Sequence, residues 1–203
     1  MSERPGGIDV SGLPTYAFGS RMTMAWGTAG FIVLEGTGFA LAIGAYLYLA
    51  VINPAWPIGV APPSLFWSTL VTLSLLISVW PNHVAKRSAR NENLALVRRD
   101  LVIMSIAGVI PLVLRIFEFR ALNIGWDQNA YGSILWIILG LHTTHLITDV
   151  GDTLVLTALM FTRHGKGRRF SDVEDNAVYW DFVVISWLVV YIVLYWVPRW
   201  LTT

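Results

Sequence analysis

Long runs of apolar residues, separated by short polar segments, dominate the sequence. Five runs have the length of about 20 residues that a helix needs to cross a hydrocarbon core of about 30 Å. Because every backbone polar group must be satisfied internally in lipid, we expect helices rather than open sheets. The predicted spans cover residues 22–52, 64–84, 101–119, 131–161 and 178–200. The first and fourth spans are longer than one membrane crossing requires, so we expect them to tilt or to project into water.

The polar segments between these runs contain the helix breakers and most of the charges. Four prolines, at positions 54, 57, 62 and 63, fill the first loop. Residues 1–21 hold prolines and glycines but no apolar core, so we expect no cleavable signal there. The pattern therefore predicts a single all-α membrane domain over residues 1–203, with residues 1–21 as an N-terminal segment.

The basic residues predict the orientation of the spans. Eleven of the 14 Lys and Arg residues fall in the N-terminal segment and in the second and fourth loops. They are Arg4, Arg21, Lys86, Arg87, Arg90, Arg98, Arg99, Arg163, Lys166, Arg168 and Arg169. Since short cytoplasmic loops carry the excess of positive charge, we expect the N-terminus in the cytoplasm and the C-terminus outside.

Composition narrows the possible function classes. Hydrophobic residues make up 55% of the chain and charged residues 13%, against about 25% charged residues in a typical soluble domain. A soluble enzyme is therefore disfavoured, and a net charge of +1 gives no reason to expect a nucleic-acid partner. With no cysteine, disulfides, iron–sulfur clusters and thiolate metal sites are excluded. The ten tryptophans suggest anchors at the membrane boundaries.

Several ionisable residues lie inside the predicted spans, where each is costly unless it is paired or hydrated. Because of this cost, each is a candidate functional residue. They are Glu35 in the first span, Arg115 and Glu118 in the third, His142, His145, Asp149 and Asp152 in the fourth, and Asp181 in the fifth.

Helix depth brings four of these residues to one level. At 1.5 Å per residue, Glu35, Arg115, His145 and Asp149 lie about 18 to 24 Å from the inner ends of their spans. Arg115 is the fixed cation of that level, and we predict that it pairs with Glu35, Asp149 or Glu118. The spacing of three, four and three residues from His142 through Asp152 places four side chains on one stripe, which faces other helices or lines a wet crevice.

Three interpretations of that stripe remain open. His142, His145 and Asp149 could hold a metal, although a closed transition-metal site needs more convergent ligands. The residues could instead be buried polar packing and headgroup contacts, or they could relay protons. The sequence contains no GxSxG, HExxH or Gly-rich phosphate loop that would indicate a familiar catalytic site.

An ordered set of motifs resembles the haem–copper oxidase subunit III family. FIVLEGTGFALAIGAY resembles its buried-glutamate helix, and PPSLFWSTLVTLSLLIS resembles its proline-led helix. IFEF, YGSILWIILGLHTTHLI and EDNAVYWDFVVISWLVVYIVLYW resemble the later signatures, so that the similarity runs from about residue 22 to 200. The short bacterial form of this family also has five helices with the N-terminus inside.

The resemblance implies an accessory subunit of a proton-pumping respiratory terminal oxidase. Such a subunit carries no cofactor and packs on the catalytic subunit I, with haem and copper in subunit I and the electron-entry subunit II. It holds phospholipid in a cleft between its first two helices and the rest, and it supports proton uptake. The location implied is the bacterial inner membrane.

The resemblance also assigns roles to individual residues. Glu35 corresponds to the carbodiimide-reactive buried carboxylate of the family, and His142 and His145 correspond to its paired histidines. Glu118 corresponds to its helix-three carboxylate, and Glu174 to its acidic residue before the last helix. The implied lipid contacts are Glu35, His142, His145, Arg169 and Trp180. The sequence departs from the family pattern at Arg115, Asp149, Asp152 and Asp181, which leaves open a subunit of a nitric oxide reductase or of another redox complex. A stand-alone transporter that uses Glu35, Arg115 and Asp149 is a further alternative.

Overall fold

The chain is a bundle of long α-helices. The structure, a computed structural model, describes residues 23–162 and 169–201. Five helices in these residues are long and apolar enough to cross a membrane, and no strand occurs among them, which confirms the predicted all-α class with five spans. The predicted N-terminal segment 1–21 and the basic residues Arg163, Lys166 and Arg168 lie outside the described residues.

Five long helices follow one another in chain order. They are α1 (Thr23–Ile52), α2 (Leu65–Arg90), α3 (Leu94–Arg120), α4 (Ala130–Met160) and α5 (Arg169–Tyr191). Helix α5 continues through a π-helical turn, Ile192–Trp196, into α6 (Val197–Leu201), and the three together form the fifth span.

Three helix ends extend beyond the predicted spans. Helix α2 continues past residue 84 to Arg90, α3 begins at Leu94 instead of 101, and α5 begins at Arg169 instead of 178. Hydropathy marks only the part of a helix that suits lipid, whereas the backbone hydrogen bonds continue into water. The predicted second loop is thereby reduced to residues 91–93.

Polar side chains at the loop boundaries determine where three of the helices begin. Ser64, Asn93 and Asn129 each accept a hydrogen bond from a backbone N–H in the first turn of α2, α3 and α4, respectively. Such N-caps satisfy donors that have no partner within the helix. The Asn129 amide also donates to the Ile58 carbonyl at 3.0 Å, which joins the first loop to the start of α4.

Helices α4 and α5 form the centre of the bundle. Helix α1 packs against both of them, α2 packs against α3 and α5, and α3 also packs against α4. Gly108 of α3 lies at a close approach of three helices, since a β-carbon there would lie 3.0 Å from Val150 of α4 and 3.3 Å from Trp180 of α5. Because α2 belongs with α3 and α5, the expected division between the first two helices and the rest is wrong for this chain.

The tryptophans occupy two different environments. Trp26 and Trp200 are exposed near the ends of α1 and α6, as expected of membrane-boundary anchors, and Trp126 is exposed in the loop between α3 and α4. Trp80 is exposed on the surface of α2, within the helix. In contrast, Trp180 and Trp187 of α5 are fully buried and donate hydrogen bonds to Ser78 and Thr72 of α2. For these two, the interpretation as boundary anchors is wrong, because their indole N–H groups connect helices inside the bundle.

Candidate functional site

Three polar side chains from three helices meet near the middle of the bundle. Glu35 of α1 lies with its Oε1 3.1 Å from Nε2 of His145 of α4. The hydroxyl of Tyr179 of α5 donates a hydrogen bond to Oε2 of Glu35 at 2.6 Å. We call Glu35, His145 and Tyr179 the cleft triad. Each comes from a different helix, so the triad depends on the packing of α1 against α4 and α5.

Two further contacts hold the cleft triad in place. Nδ1 of His145 is 2.6 Å from the Leu141 carbonyl, which only accepts, so Nδ1 carries a hydrogen. Nε2 of the same ring faces one oxygen of Glu35, and the Tyr179 hydroxyl donates to the other. Each oxygen of Glu35 therefore has a polar neighbour, which offsets the cost of a carboxyl group in lipid.

A second polar group, entirely buried, surrounds Arg115 of α3. The Arg115 guanidinium, 1% exposed, donates to Glu118 at 2.5 Å and lies 3.9 Å from the ring centre of Trp187. The Tyr195 hydroxyl donates to the other carboxylate oxygen of Glu118. Of the three predicted partners of Arg115, the structure therefore selects Glu118, one helical turn away on the same helix.

His142 completes this group, which we call the Arg115 cluster: Arg115, Glu118, His142, Trp187 and Tyr195. Its Nδ1 lies 3.0 Å from an Arg115 nitrogen and must accept, since arginine only donates. Its Nε2 lies 3.0 Å from the Val183 carbonyl and therefore carries the hydrogen. Both ring nitrogens of a neutral imidazole are thus in use.

Phe39 of α1 separates the two polar groups. Its side chain is buried, and its ring centre lies 5.0 Å from that of His145 and 6.2 Å from that of His142. The two histidines are three residues apart on α4, yet each belongs to a different hydrogen-bonded group. The predicted single polar level is therefore divided in two by an aromatic ring.

Three aspartates that the sequence analysis singled out, Asp149, Asp152 and Asp181, belong neither to the cleft triad nor to the Arg115 cluster. Asp149 is 1% exposed, and neither carboxylate oxygen has a hydrogen-bond partner in the described part of the chain. Asp152, about one turn further along α4, is exposed. Asp181 accepts a hydrogen bond from Asn82 at 3.0 Å and lies 3.7 Å from His83. Asp181 also lies 12 residues inside α5 rather than near its start.

A cleft of about 920 Å³ opens between α1, α4 and α5, in the half of the bundle where α1 and α5 begin and α4 ends. We call it the α1–α4–α5 cleft. The cleft triad lines its deep end, and Arg169 and Asp172 line its rim. Apolar side chains, among them Met24, Phe31 and Leu159, line much of the rest.

Of the five predicted lipid contacts, the structure places three in the α1–α4–α5 cleft and buries the other two. Glu35, His145 and Arg169 line the α1–α4–α5 cleft and are accessible to a ligand there. His142 and Trp180 have no exposed surface, so the direct lipid contact predicted for both is wrong. Both are occupied in bonds between helices instead, His142 with Arg115 and Trp180 with Ser78.

Several residues of the site were absent from the sequence prediction. Tyr179, Trp187 and Tyr195 supply hydrogen bonds or ring contacts to the predicted charges, and Asp172 and Asp175 line the cleft. The two aspartates fell in a segment that was expected to be a loop. The aromatic residues carry no charge, and their apolar rings are not distinguishable from packing residues in a hydropathy pattern.

The described residues contain no group of three or more His, Asp or Glu side chains that could hold a metal ion. His142 and His145, the candidate ligands, face different neighbours, and Asp149 does not converge with them. This arrangement disfavours the metal interpretation of the stripe on α4.

A family model and the curated relatives that match this chain all describe the same protein family. A family model described as cytochrome c oxidase subunit III matches residues 21–199, which include all five membrane-spanning helices. Cytochrome c oxidase subunit 3 of Thermostichus vulcanus is 24% identical over 172 residues, covering 83% of this chain and 85% of that protein.

Two further relatives match most of the chain at similar identity. The subunit 3 protein of Synechocystis sp. is 28% identical over 174 residues, covering 84% of this chain and 74% of the relative. That of Drosophila melanogaster is 25% identical over 198 residues, covering 91% of this chain and 72% of the relative. The similarity therefore extends across most of the chain in each case.

Proposed function

Because this chain belongs to the cytochrome c oxidase subunit III family, we propose that it is an accessory subunit of a proton-pumping respiratory terminal oxidase. The observation that carries the proposal is the family match over residues 21–199. Membership in this family implies association with other oxidase subunits, and the five apolar helices indicate a multi-pass membrane protein. We place it in the bacterial inner membrane with the N-terminus in the cytoplasm.

We further propose that the redox chemistry takes place in partner chains. The polar side chains of the two buried groups bond to one another rather than leaving a set of free ligands. Haem and copper then belong to the catalytic subunit I and the electron-entry subunit II, and this chain stabilises their assembly. It has no cofactor of its own in this proposal.

The α1–α4–α5 cleft is the proposed site of phospholipid contact. Arg169 at its rim offers a guanidinium to a lipid phosphate, and Met24, Phe31 and Leu159 offer apolar surface to acyl chains. At the deep end, Glu35 and His145 also line the cleft, 3.1 Å apart. This combination supports a role in retaining lipid and in sustaining proton uptake during turnover.

The substitution Glu35→Gln tests this role. We expect unchanged haem content, because the proposal places haem in partner chains, but fewer bound phospholipids and a several-fold faster loss of oxygen-reducing activity during turnover. Quantitative lipid mass spectrometry and the haem spectrum of the purified complex provide the readouts. Glu92→Gln, in the exposed turn between α2 and α3, is the matched control.

Loss of haem in the Glu35→Gln complex would contradict an accessory role. A wild-type complex that turns over nitric oxide rather than oxygen would instead assign the chain to a nitric oxide reductase. Substrate-dependent flux through the purified single chain would favour the transporter alternative.

A further inference from the structure

A second groove, of about 290 Å³, lies between α2 and α3 and shares no lining residue with the α1–α4–α5 cleft. We call it the α2–α3 groove. It combines apolar side chains with one charged pair, and its lining residues are Trp80, Pro81, Val84, Arg99, Asp100 and Ile103. The Trp80 side chain is 74% exposed, so a large aromatic surface borders the groove and is open to a ligand.

Arg99 presents a fixed guanidinium to this groove. Its Nε and one terminal nitrogen lie 2.9 and 2.8 Å from the same oxygen of Asp100, whose other oxygen accepts a hydrogen bond from Ser88. Both Asp100 oxygens are thus occupied, and the carboxylate holds Arg99 in place. Because arginine has five N–H donors and the Arg99 side chain is still 61% exposed, donors remain for an acceptor outside the chain.

A second cation lies on the same face of α2. Trp80, Val84 and Arg87 are separated by four and three residues, so they form one stripe that continues the groove toward the end of the helix. Arg87 is exposed and makes no ion pair with a described residue. Residues 86–100 hold five basic and two acidic side chains, so this end of the groove attracts an anion and repels a cationic headgroup.

Exposed apolar side chains continue from the groove along both helices, away from this basic end. Spaced by three and four residues, they are Trp80, Ile77 and Leu73 on α2, and Ile103, Ile106 and Ile110 on α3. At 1.5 Å per residue, Arg99 lies about 8 Å from the start of α3 and Ile110 about 24 Å. The difference of about 16 Å is close to half of a hydrocarbon core of about 30 Å, the depth of one lipid leaflet.

We propose that the α2–α3 groove binds one anionic phospholipid, with its phosphate on Arg99 and Arg87 and its acyl chains along the exposed apolar side chains of α2 and α3. Trp80 packs against the lipid where headgroup and acyl chains meet. A free phosphate ion would use none of the apolar surface, and a zwitterionic lipid would bring a cationic amine next to the basic segment. The groove lies on a face of the chain that the proposed function does not use.

Photolabelling of the complex in which the chain is purified tests this site. The probe is a phosphatidylglycerol with a diazirine in one acyl chain, added in mild detergent, and mass spectrometry maps the labelled peptides of this chain. We expect label at residues 73–80 of α2 and 103–110 of α3. An excess of unlabelled phosphatidylglycerol should displace the probe, whereas the same excess of phosphatidylcholine should not.

Arg87→Gln should lower this labelling several-fold, and it should leave the fold intact because Arg87 is exposed and unpaired. Lys86→Gln is the matched control, since it removes the same charge one residue away, on the side of α2 near Asp175 of α5. It should leave the labelling nearly unchanged. Arg99→Gln should lower the labelling at least as much as Arg87→Gln, which decides alone if the Arg99 variant does not assemble.

Equal displacement by phosphatidylcholine would overturn the proposal, since it would show ordinary boundary lipid. An equal loss of label in Arg87→Gln and Lys86→Gln would also overturn it, because general surface charge would then explain the binding. Absence of label from both stretches would show that no lipid occupies the groove. In contrast, a labelled groove in a complex without haem would refute the proposed function and leave this inference standing.

Discussion

Single charged residues inside this membrane protein are stabilised in two ways. Glu35 lies beside the His145 imidazole and accepts a hydrogen bond from Tyr179, at an accessible cleft. Arg115 is enclosed with Glu118, His142 and the face of Trp187 and does not line that cleft. The first arrangement is open to a ligand, whereas the second joins helices inside the bundle.

Arg115→Met tests that structural role. It leaves Glu118 buried without its cation, and breaking such a pair costs about 3 to 5 kcal/mol. We therefore expect a sharply lower complex yield and a lower thermal unfolding midpoint in mild detergent, measured by the unfolding of the purified complex.

The double variant Arg115→Met/Glu118→Leu should recover much of the lost stability, since no buried charge remains uncompensated. Arg120→Ala, an exposed position at the end of α3, serves as the control and should behave like the wild type. An unaffected Arg115→Met complex would show that the ion pair contributes little.

At the residue scale, the sequence predicted which charged residues lie inside the bundle but not the side chains that form hydrogen bonds and ring contacts with them. The cost of an ionised side chain in lipid made Glu35, Arg115 and His145 recognisable from their positions alone. The division of one polar level into two groups depends on Phe39, whose position between two rings arises only from the packing of α1 on α4. Helix depth can be counted along the chain, but the direction in which each helix face points cannot.

At the scale of elements, the helices are defined by polar caps and are held together by close contacts. The five apolar runs were visible in the sequence because lipid requires a minimum helix length. The water-exposed extensions of α2, α3 and α5 were missed, because hydropathy does not report helix that continues into water. Asp172 and Asp175 were missed for the same reason, since they lie in the extension of α5.

Gly108→Leu tests the close approach of α3 to α4 and α5. A β-carbon would already lie 3.0 Å from Val150, so a leucine must force the helices apart, at a cost of about 1 to 3 kcal/mol. We expect a lower unfolding midpoint of the complex. Gly140→Leu on α4, where no neighbour lies within 4 Å of the added carbon, is the comparison and should leave the midpoint nearly unchanged.

If the Gly108 variant were as stable as the Gly140 variant, the close approach of α3 to α4 and α5 would not limit the size of the residue at position 108. If both were strongly destabilised, contacts of α4 outside this chain would be indicated.

At the scale of the whole molecule, the exterior suits a membrane. Large apolar side chains such as Leu41 and Val51 of α1 are exposed, while Arg115, Glu118 and Asp149 are buried inside the bundle. A resemblance in ordered motifs predicted the family, because the motif residues form the polar groups and the interhelical contacts. The cleft was predicted in a different place, since contacts of α2 with α3 and α5 are not encoded in any local pattern.

The orientation of the chain remains a prediction from its basic loops. Single-cysteine variants at Glu92, between α2 and α3, and at Asp127, between α3 and α4, test it because the chain has no native cysteine. An impermeant maleimide added to intact, right-side-out cells should label position 127 and leave position 92 unlabelled. The reverse labelling would place the basic loops outside and refute the assignment.

The central claim is that this chain supports redox chemistry performed by its neighbours. The most direct measurement is purification of the tagged chain from its native membranes in mild detergent, followed by identification of its companions and their haem and copper content. We predict copurification of haem- and copper-bearing subunits with oxygen-reducing activity, and no haem or copper on this chain once it is separated. A separated chain that retains a stoichiometric redox centre, or that turns over a substrate unaided, would contradict the account.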